Sequence, residues 1–294
     1  MEKLLTPKLD LVFKILFTSD TELLADLISS VLGLSGNRRI RHVTVRNPIV
    51  SPDEEITRKF VILDIHATDR KGRHHDIEMQ VSRYEFYPRR TLFYACRLYT
   101  NQLASGKDYG RLMPVIGIHF LDYVEYPDHD DFRFCFRLRD INHPELVLTE
   151  DMTLHLIELP KFGKKTGKPL KFRNRLWEWL HFFNHAHEEK EEIMRTHYEN
   201  PLIHRAFTAL ETLSADDRTR ILAQQREESM MNERYELAAA KRKGREEGRE
   251  EEKKEVAASM LNEGMAVEVI MKCTGLSSGE MDRLRNKPDP GNGG

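Results

Sequence analysis

Cysteine is scarce and scattered. Cys96, Cys135 and Cys273 lie far apart and show no paired spacing. That excludes a disulfide framework and a cysteine-based zinc site, and it fits a reducing compartment. Long apolar runs are also missing, so no segment is read as a membrane span. The N-terminal "MEKLLTPKLDLVFKILF" carries Lys8, Asp10 and Lys14 inside its apolar stretch and does not read as a signal peptide. A soluble, cytoplasmic protein without a membrane partner is expected. Charge of one sign is lacking too: 46 Lys+Arg face 48 Asp+Glu, a net charge of −2. A protein binding nucleic acid by charge over its whole surface would be strongly basic, so any DNA contact must come from a local patch. No glycine-rich phosphate loop and no serine or cysteine in a triad context occurs, and no organic cofactor is expected.

What is present is a globular composition, 39% hydrophobic, with a large charged share of 32%. Part of the chain therefore lies outside a packed core. Leu9, Val12, Phe13, Leu16 and Phe17 form one helical stripe; Leu23, Leu24, Leu27, Ile28 and Val31 form a second. Thr18-Ser19-Asp20 between them reads as a break and an N-cap. "RIRHVTVRNPIV" reads as a strand ending at Pro48, and a hairpin over Phe60–Val81 follows. "YPRRTLFYACRLYTNQLASG" is helical, from Pro88 to a stop at Gly106. "LMPVIGIHFLDY" is a strand so apolar that helices should cover both its faces. Phe132–Asp140 and Met152–Pro160 are two more strands. This order predicts an α/β fold with a central mixed sheet flanked by helices over 1–160. A helical extension over 161–240 follows, with Leu176, Trp177, Leu180 and Phe183 on one side of its first helix. Residues 241–255, "KRKGREEGREEEKKE", have no apolar residue and read as a charged helical spacer. Residues 256–294 form a small helical appendage resembling a helix-turn-helix, with a Thr274-Gly275 turn, a Ser277/Ser278 cap and a disordered end. Its second helix offers Arg283 and Arg285 as donors, and DNA contact, protein contact or dimerisation would each suit it.

The hairpin "FVILDIHATDRKGRHHDIEMQ" poses the chemical question. With Arg70-Lys71-Gly72 as a three-residue loop and Gly72 in the left-handed region, Thr68 pairs with His74, His66 with Asp76 and Asp64 with Glu78. Residues directly opposite share a face, about 4.5–5.5 Å apart at Cβ. Asp64, Glu78 and Gln80 then line up, while Ile65, Ile77 and Met79 face the core. Two carboxylates that close repel unless one is protonated or a cation lies between them. A hard divalent cation takes such oxygen ligands. The same string also suits an ordinary hairpin whose outer carboxylates meet water or arginine. A one-residue slip in the loop would put the two acids on opposite faces.

"VILDIHATDRKGRHHDIEMQ", with "KLDLVFKILF" upstream and "YPRRTLFYACRLYTNQLASGKDYGRLMPVIGIHFLDY" downstream, resembles the Rpn family of recombination-promoting nucleases and putative transposases, within the PD-(D/E)XK nuclease superfamily. The resemblance runs from about Leu4 past Glu158, and the "GREEGREEEKKE" spacer with its "TGLS" appendage is also typical. It implies a restriction-endonuclease-like core and metal-dependent DNA cleavage linked to recombination or mobile elements. By the resemblance, Asp64 and Glu78 are the metal-binding acids and Gln80 stands where the superfamily usually has Lys. One or two Mg²⁺ ions are implied, and Mn²⁺ could substitute. Asp10 is either a further ligand or a helix N-terminal charge favoured by the dipole. A catalytically weak DNA-binding or assembly protein on the same fold is the alternative. Homodimerisation would fit either.

Three further residues are candidates for DNA contact. Arg90 and Arg97 recur at helical spacing around Tyr94, so one stripe could meet phosphates; solvent or a pairing with Glu85 would explain them equally simply. His66 falls on the face of the two acids and could touch substrate. His74, His75 and His119 read, like His66, as surface or edge histidines. His181 and His185, four apart, lack the glutamate of a zincin and read as structural.

Overall fold

The computed structural model describes residues 4–46, 65–103, 108–162, 174–188 and 198–285. By contact density the chain forms two units, Met1–Glu227 and Glu228–Gly294. The first carries a six-stranded mixed sheet in the order β1-β2-β3-β4-β6-β5. Its strands are β1 (Val43–Val45), β2 (Ile65–Asp69), β3 (His74–Gln80), β4 (Val115–Leu121), β5 (Arg133–Arg137) and β6 (Met152–Glu158). β3, β4 and β6 run parallel at the centre, and β1, β2 and β5 are antiparallel to their neighbours. All seven residues of β4 are buried, as its nearly all-apolar run requires for a strand covered on both faces.

One face of the sheet packs on α1 (Asp10–Ser19), α2 (Thr21–Val31) and α4 (Arg175–His185). Phe120 of β4 meets Phe13 at 6.1 Å and Phe183 at 5.1 Å between ring centroids. The break between α1 and α2 is capped by Asp20, whose side chain accepts from the Glu22 and Leu23 amides. In α4 the buried tryptophan is Trp179, not Trp177, which sits at the rim against Phe132 and Phe162. Three residues beyond Leu176, Trp179 falls on the core side and gains a polar partner there. Its Nε1 donates to Asp26 Oδ2 at 2.8 Å. Arg39, Arg175 (2.6 Å) and Asn200 Nδ2 (2.8 Å) also converge on this buried aspartate. α5 (Pro201–Ala215) completes this layer.

The opposite face is covered by α3 (Tyr87–Thr100). It ends six residues before Gly106, which lies outside the described residues, as do Pro48 and residues 47–64. The expected terminal parts of the strand after β5, Leu138–Asp140, form only a single bridge, Arg139 to Val147.

α6 (Asp217–Asn262) contains the charged stretch 241–255, exposed along nearly its whole length. In the second unit the end of α6 packs with α7 (Val267–Thr274) and α8 (Ser278–Arg285) around Ala257, Ile270, Leu276 and Met281. Gly275 closes α7 at φ 73, a conformation glycine adopts freely. Ser277 and Glu280 form a capping pair, with the Ser277 amide donating to Glu280 Oε2 at 2.8 Å.

Candidate active site

The β2–β3 hairpin has the register its loop predicts. Thr68 pairs with His74, His66 with Asp76 and Ile65 with Ile77. Gly72 has φ 79. The turn is locked by a residue the sequence did not single out. The Asp69 carboxylate accepts from the Lys71 and Arg73 amides at 2.8 and 3.2 Å and from Arg73 Nε at 2.7 Å. His75 lies against the same carboxylate at 3.1 Å. Asp69 is therefore held well below the usual carboxylate range against the opposing effect of burial, which is the largest single influence on it.

Strand alternation sends Asp76, Glu78 and Gln80 to one face. On the parallel neighbour, Gly117 stands beside Asp76 and His119 beside Glu78. This face is buried beneath α3. Glu78 is 4% exposed. Gln80 Nε2 donates to Glu78 Oε1, and Arg90 Nη2 reaches the same oxygen at 3.2 Å. The Tyr87 hydroxyl donates to Glu78 Oε2 at 2.9 Å, and His119 Nδ1 lies 3.1 Å from it. Gly117 is required by this packing: a Cβ there would stand 2.8 Å from His119 Nε2 and 2.8 Å from Leu154 Cδ2.

The charges respond to burial. It pushes the Asp76 carboxyl up to about 6, with Glu78 adding to the rise while His119 and Arg90 oppose it. Burial, then the Glu78 carboxylate, holds the Tyr87 phenol well above its ordinary value. Tyr87 is thus a hydrogen-bond donor at any working pH. His66 is pushed down to about 4, first by burial and then by His74 and Arg46; its Nε2 is 2.9 Å from His74 Nδ1.

Of the residues singled out from the sequence, the fold brings Glu78, Gln80 and Arg90 together directly. Asp64 lies outside the described residues, one position before β2. His66 is opposite Asp76, on the same face. Asp10 begins α1 and is held by Arg226 of α6, with Nε at 2.8 Å and Nη2 at 2.5 Å from Oδ2. Arg97 is exposed, two helical turns beyond Arg90. Two expectations are corrected. His75 and His119 are not surface or edge residues; they are 0% and 1% exposed, because both faces of β3 and β4 are covered. Asp76, Tyr87 and His119 were not read as site residues. The period-2 string Asp76-x-Glu78-x-Gln80 could have revealed the first. A glycine inside the strand "VIGIHF" marks the close approach that seats the last.

Residues 7–240 match the family described as PD-(D/E)XK nuclease family transposase. The chain belongs to that family. Residues 250–286 match the Rpn/YhgA-like nuclease family, C-terminal HTH domain, which covers the three helices around Ile270 and Met281. No curated protein and no solved structure matches the chain. The mixed sheet between helices is the architecture that the family and the sequence resemblance both imply.

The donor set around Glu78 suits a hard divalent cation. Glu78 and Asp76 are buried carboxylates on one strand face, and burial, with Glu78 adding to it, raises the Asp76 carboxyl. Gln80 adds an amide oxygen. Among the described residues no three His, Cys, Asp or Glu side chains form a ready cage. Mg²⁺ needs only one or two protein carboxylates, with water and substrate phosphate completing its shell.

Proposed function

We propose that this protein is a Mg²⁺-dependent DNA endonuclease that hydrolyses phosphodiester bonds, acting in recombination or in the movement of mobile elements. The observation that supports this best is the Glu78 carboxylate, buried on the central sheet and held by Gln80, Arg90 and Tyr87. The pairing expected from the three-residue loop would stand Asp64, which lies outside the described residues, opposite Glu78. Asp64 and Glu78 would hold one or two Mg²⁺ ions, Mn²⁺ being able to substitute, with Asp10 a further ligand directly or through water. When bound, the metal supplies a more acidic water and an electrophile for the scissile phosphate.

The chain's own residues do the rest. Tyr87, with a phenol held above its ordinary range, donates to Glu78 and fixes its orientation. Gln80 orients an attacking water by hydrogen bonding alone, since an amide carries no charge to set against the transition state. Arg90 exchanges Glu78 for a substrate phosphate, and Arg97 and His66 flank the DNA path. The helix-turn-helix of the second unit would hold duplex DNA through Arg283 and Arg285.

Incubation of the purified chain with supercoiled plasmid and Mg²⁺ tests this. Nicking that disappears in Glu78→Ala and on chelation is expected. DNA binding with no cleavage, unchanged in Glu78→Ala, would favour a DNA-binding protein that keeps the fold without the chemistry.

A further inference from the structure

The outer face of α3 combines two features that burial arguments do not explain. Large aromatic side chains stand in solvent: Phe93 is 62% exposed and Phe86 58%. Arginines alternate with them. Phe86, Arg89, Phe93 and Arg97 recur three or four residues apart and so follow one line along the helix. The line is about 16 Å long at ~1.5 Å per residue. Arg90 flanks it and joins it to Glu78, while its guanidinium lies 5.4 Å from the Tyr84 ring centre and 5.6 Å from that of Tyr94.

Two more observations point to a ligand. Phe86 precedes α3 with φ 62, the left-handed region that a residue bearing a Cβ rarely occupies. That conformation leaves the ring mostly in solvent, with the Arg89 guanidinium over it at 5.0 Å. Local charge is the second. Between Arg83 and Thr100 there are four arginines and one glutamate, in a chain whose net charge is −2. A purely apolar face would suit a second copy of this chain. This one carries arginines all along its line, which gives it the charge complement of a polyanion.

We propose that this face of α3 is a stacking platform for unpaired DNA bases, leading away from Glu78. The proposal rests on the nuclease reading above and deepens it: the favoured substrate has single-stranded DNA beside the scissile bond, as at a flap, bubble or free end. Bases stack on Phe93 and Phe86 whatever their identity, because every base has a π face, and Arg89 and Arg97 track the phosphates. Duplex DNA keeps its bases paired and cannot use the rings.

The test is binding of the full chain, in EDTA, to a fluorescein-labelled single strand and to the matching blunt duplex, followed by anisotropy. A single strand carrying 2-aminopurine reports stacking in parallel. Phe93→Ala should weaken single-strand binding about 5- to 150-fold, the equivalent of ~1–3 kcal/mol per stacked base, and change duplex binding less than about 2-fold. Phe93→Leu keeps apolar bulk and should still lose the 2-aminopurine quenching; Phe93→Trp should keep it. Equal effects on both DNAs, or none on the single strand, would overturn the platform. So would a dimer that becomes monomeric in Phe93→Ala by light scattering, which would assign the face to a second copy. Because no metal is present, the measurement stays separate from cleavage. A chain that quenches 2-aminopurine yet never cuts DNA keeps the platform and loses the nuclease; one that nicks duplex normally without quenching does the reverse.

Discussion

Tyr87→Phe removes one oxygen atom from the centre of the candidate site. The ring is fully buried, and its edge contacts with His119 at 6.0 Å and Tyr123 at 6.2 Å survive the change. What disappears is the donor to Glu78 Oε2 at 2.9 Å and the hydroxyl's contact with His119 Nδ1 at 3.0 Å. A hydrogen bond to a charged acceptor contributes about 1.5–3 kcal/mol. At about 2–4 °C per kcal/mol for a unit of this size, Tm should fall by ~3–12 °C. The phenol's folded pKa is raised, so its contribution is present below the unfolded value of 10.0 and is lost only as pH rises through the higher folded value. The loss in the variant should therefore be constant from neutral to mildly alkaline pH. Residues that orient metal-binding acids are typically worth about 10–100-fold in metal affinity or activity, so nicking should drop by a similar factor. Differential scanning fluorimetry and plasmid nicking read both effects. An unchanged Tm with unchanged nicking would refute the claim that this hydroxyl sets Glu78.

Two further perturbations test the frame around the site. Asp26→Ala strands Arg39, Arg175, Trp179 and Asn200 around a lost buried carboxylate and should cost about 3–5 kcal/mol in urea unfolding; a loss below ~1 kcal/mol would mean the cluster is solvated. Burial, with Arg133 and Arg137, pushes the His155 imidazole down from 6.5 to about 4. Between those values the unfolded chain takes up a proton that the folded one refuses, so stability falls as pH falls through that window, by about 1.4 kcal/mol per pH unit. His66 adds a like contribution in the same window, so His155→Asn should reduce the slope of urea stability against pH by that amount without abolishing it; an identical slope in the variant would contradict it.

The parts of the fold readable from the sequence are those fixed by local rules. Period-3.6 stripes placed α1 and α2, and Asp20 between them could only cap. Gly72 and a three-residue loop set the hairpin register, since a slip would turn every core residue outward. The same pairing lined up Glu78 and Gln80 on one face, and the resemblance marked them as candidate site residues. What escaped depends on contacts between distant segments. Both tryptophans of α4 are equally apolar in a string of letters, and only the buried Asp26, more than 150 positions away, makes Trp179 the inner one. Asp76 and His119 look like surface residues until α3 is laid over the face they share. Asp10 was open between ligand and helix charge, and its pairing with Arg226, 216 residues on, could not be read from either neighbourhood.

The decisive measurement is titration of Mn²⁺ into the full chain, followed by electron paramagnetic resonance, for the parent protein, Asp64→Asn, Glu78→Gln and the double variant. If both acids hold the same ion, either single change should weaken binding at least about 10-fold, and the double variant should be little worse than either alone. Full Mn²⁺ affinity in Glu78→Gln, or losses that add independently across the two positions, would contradict a shared cation.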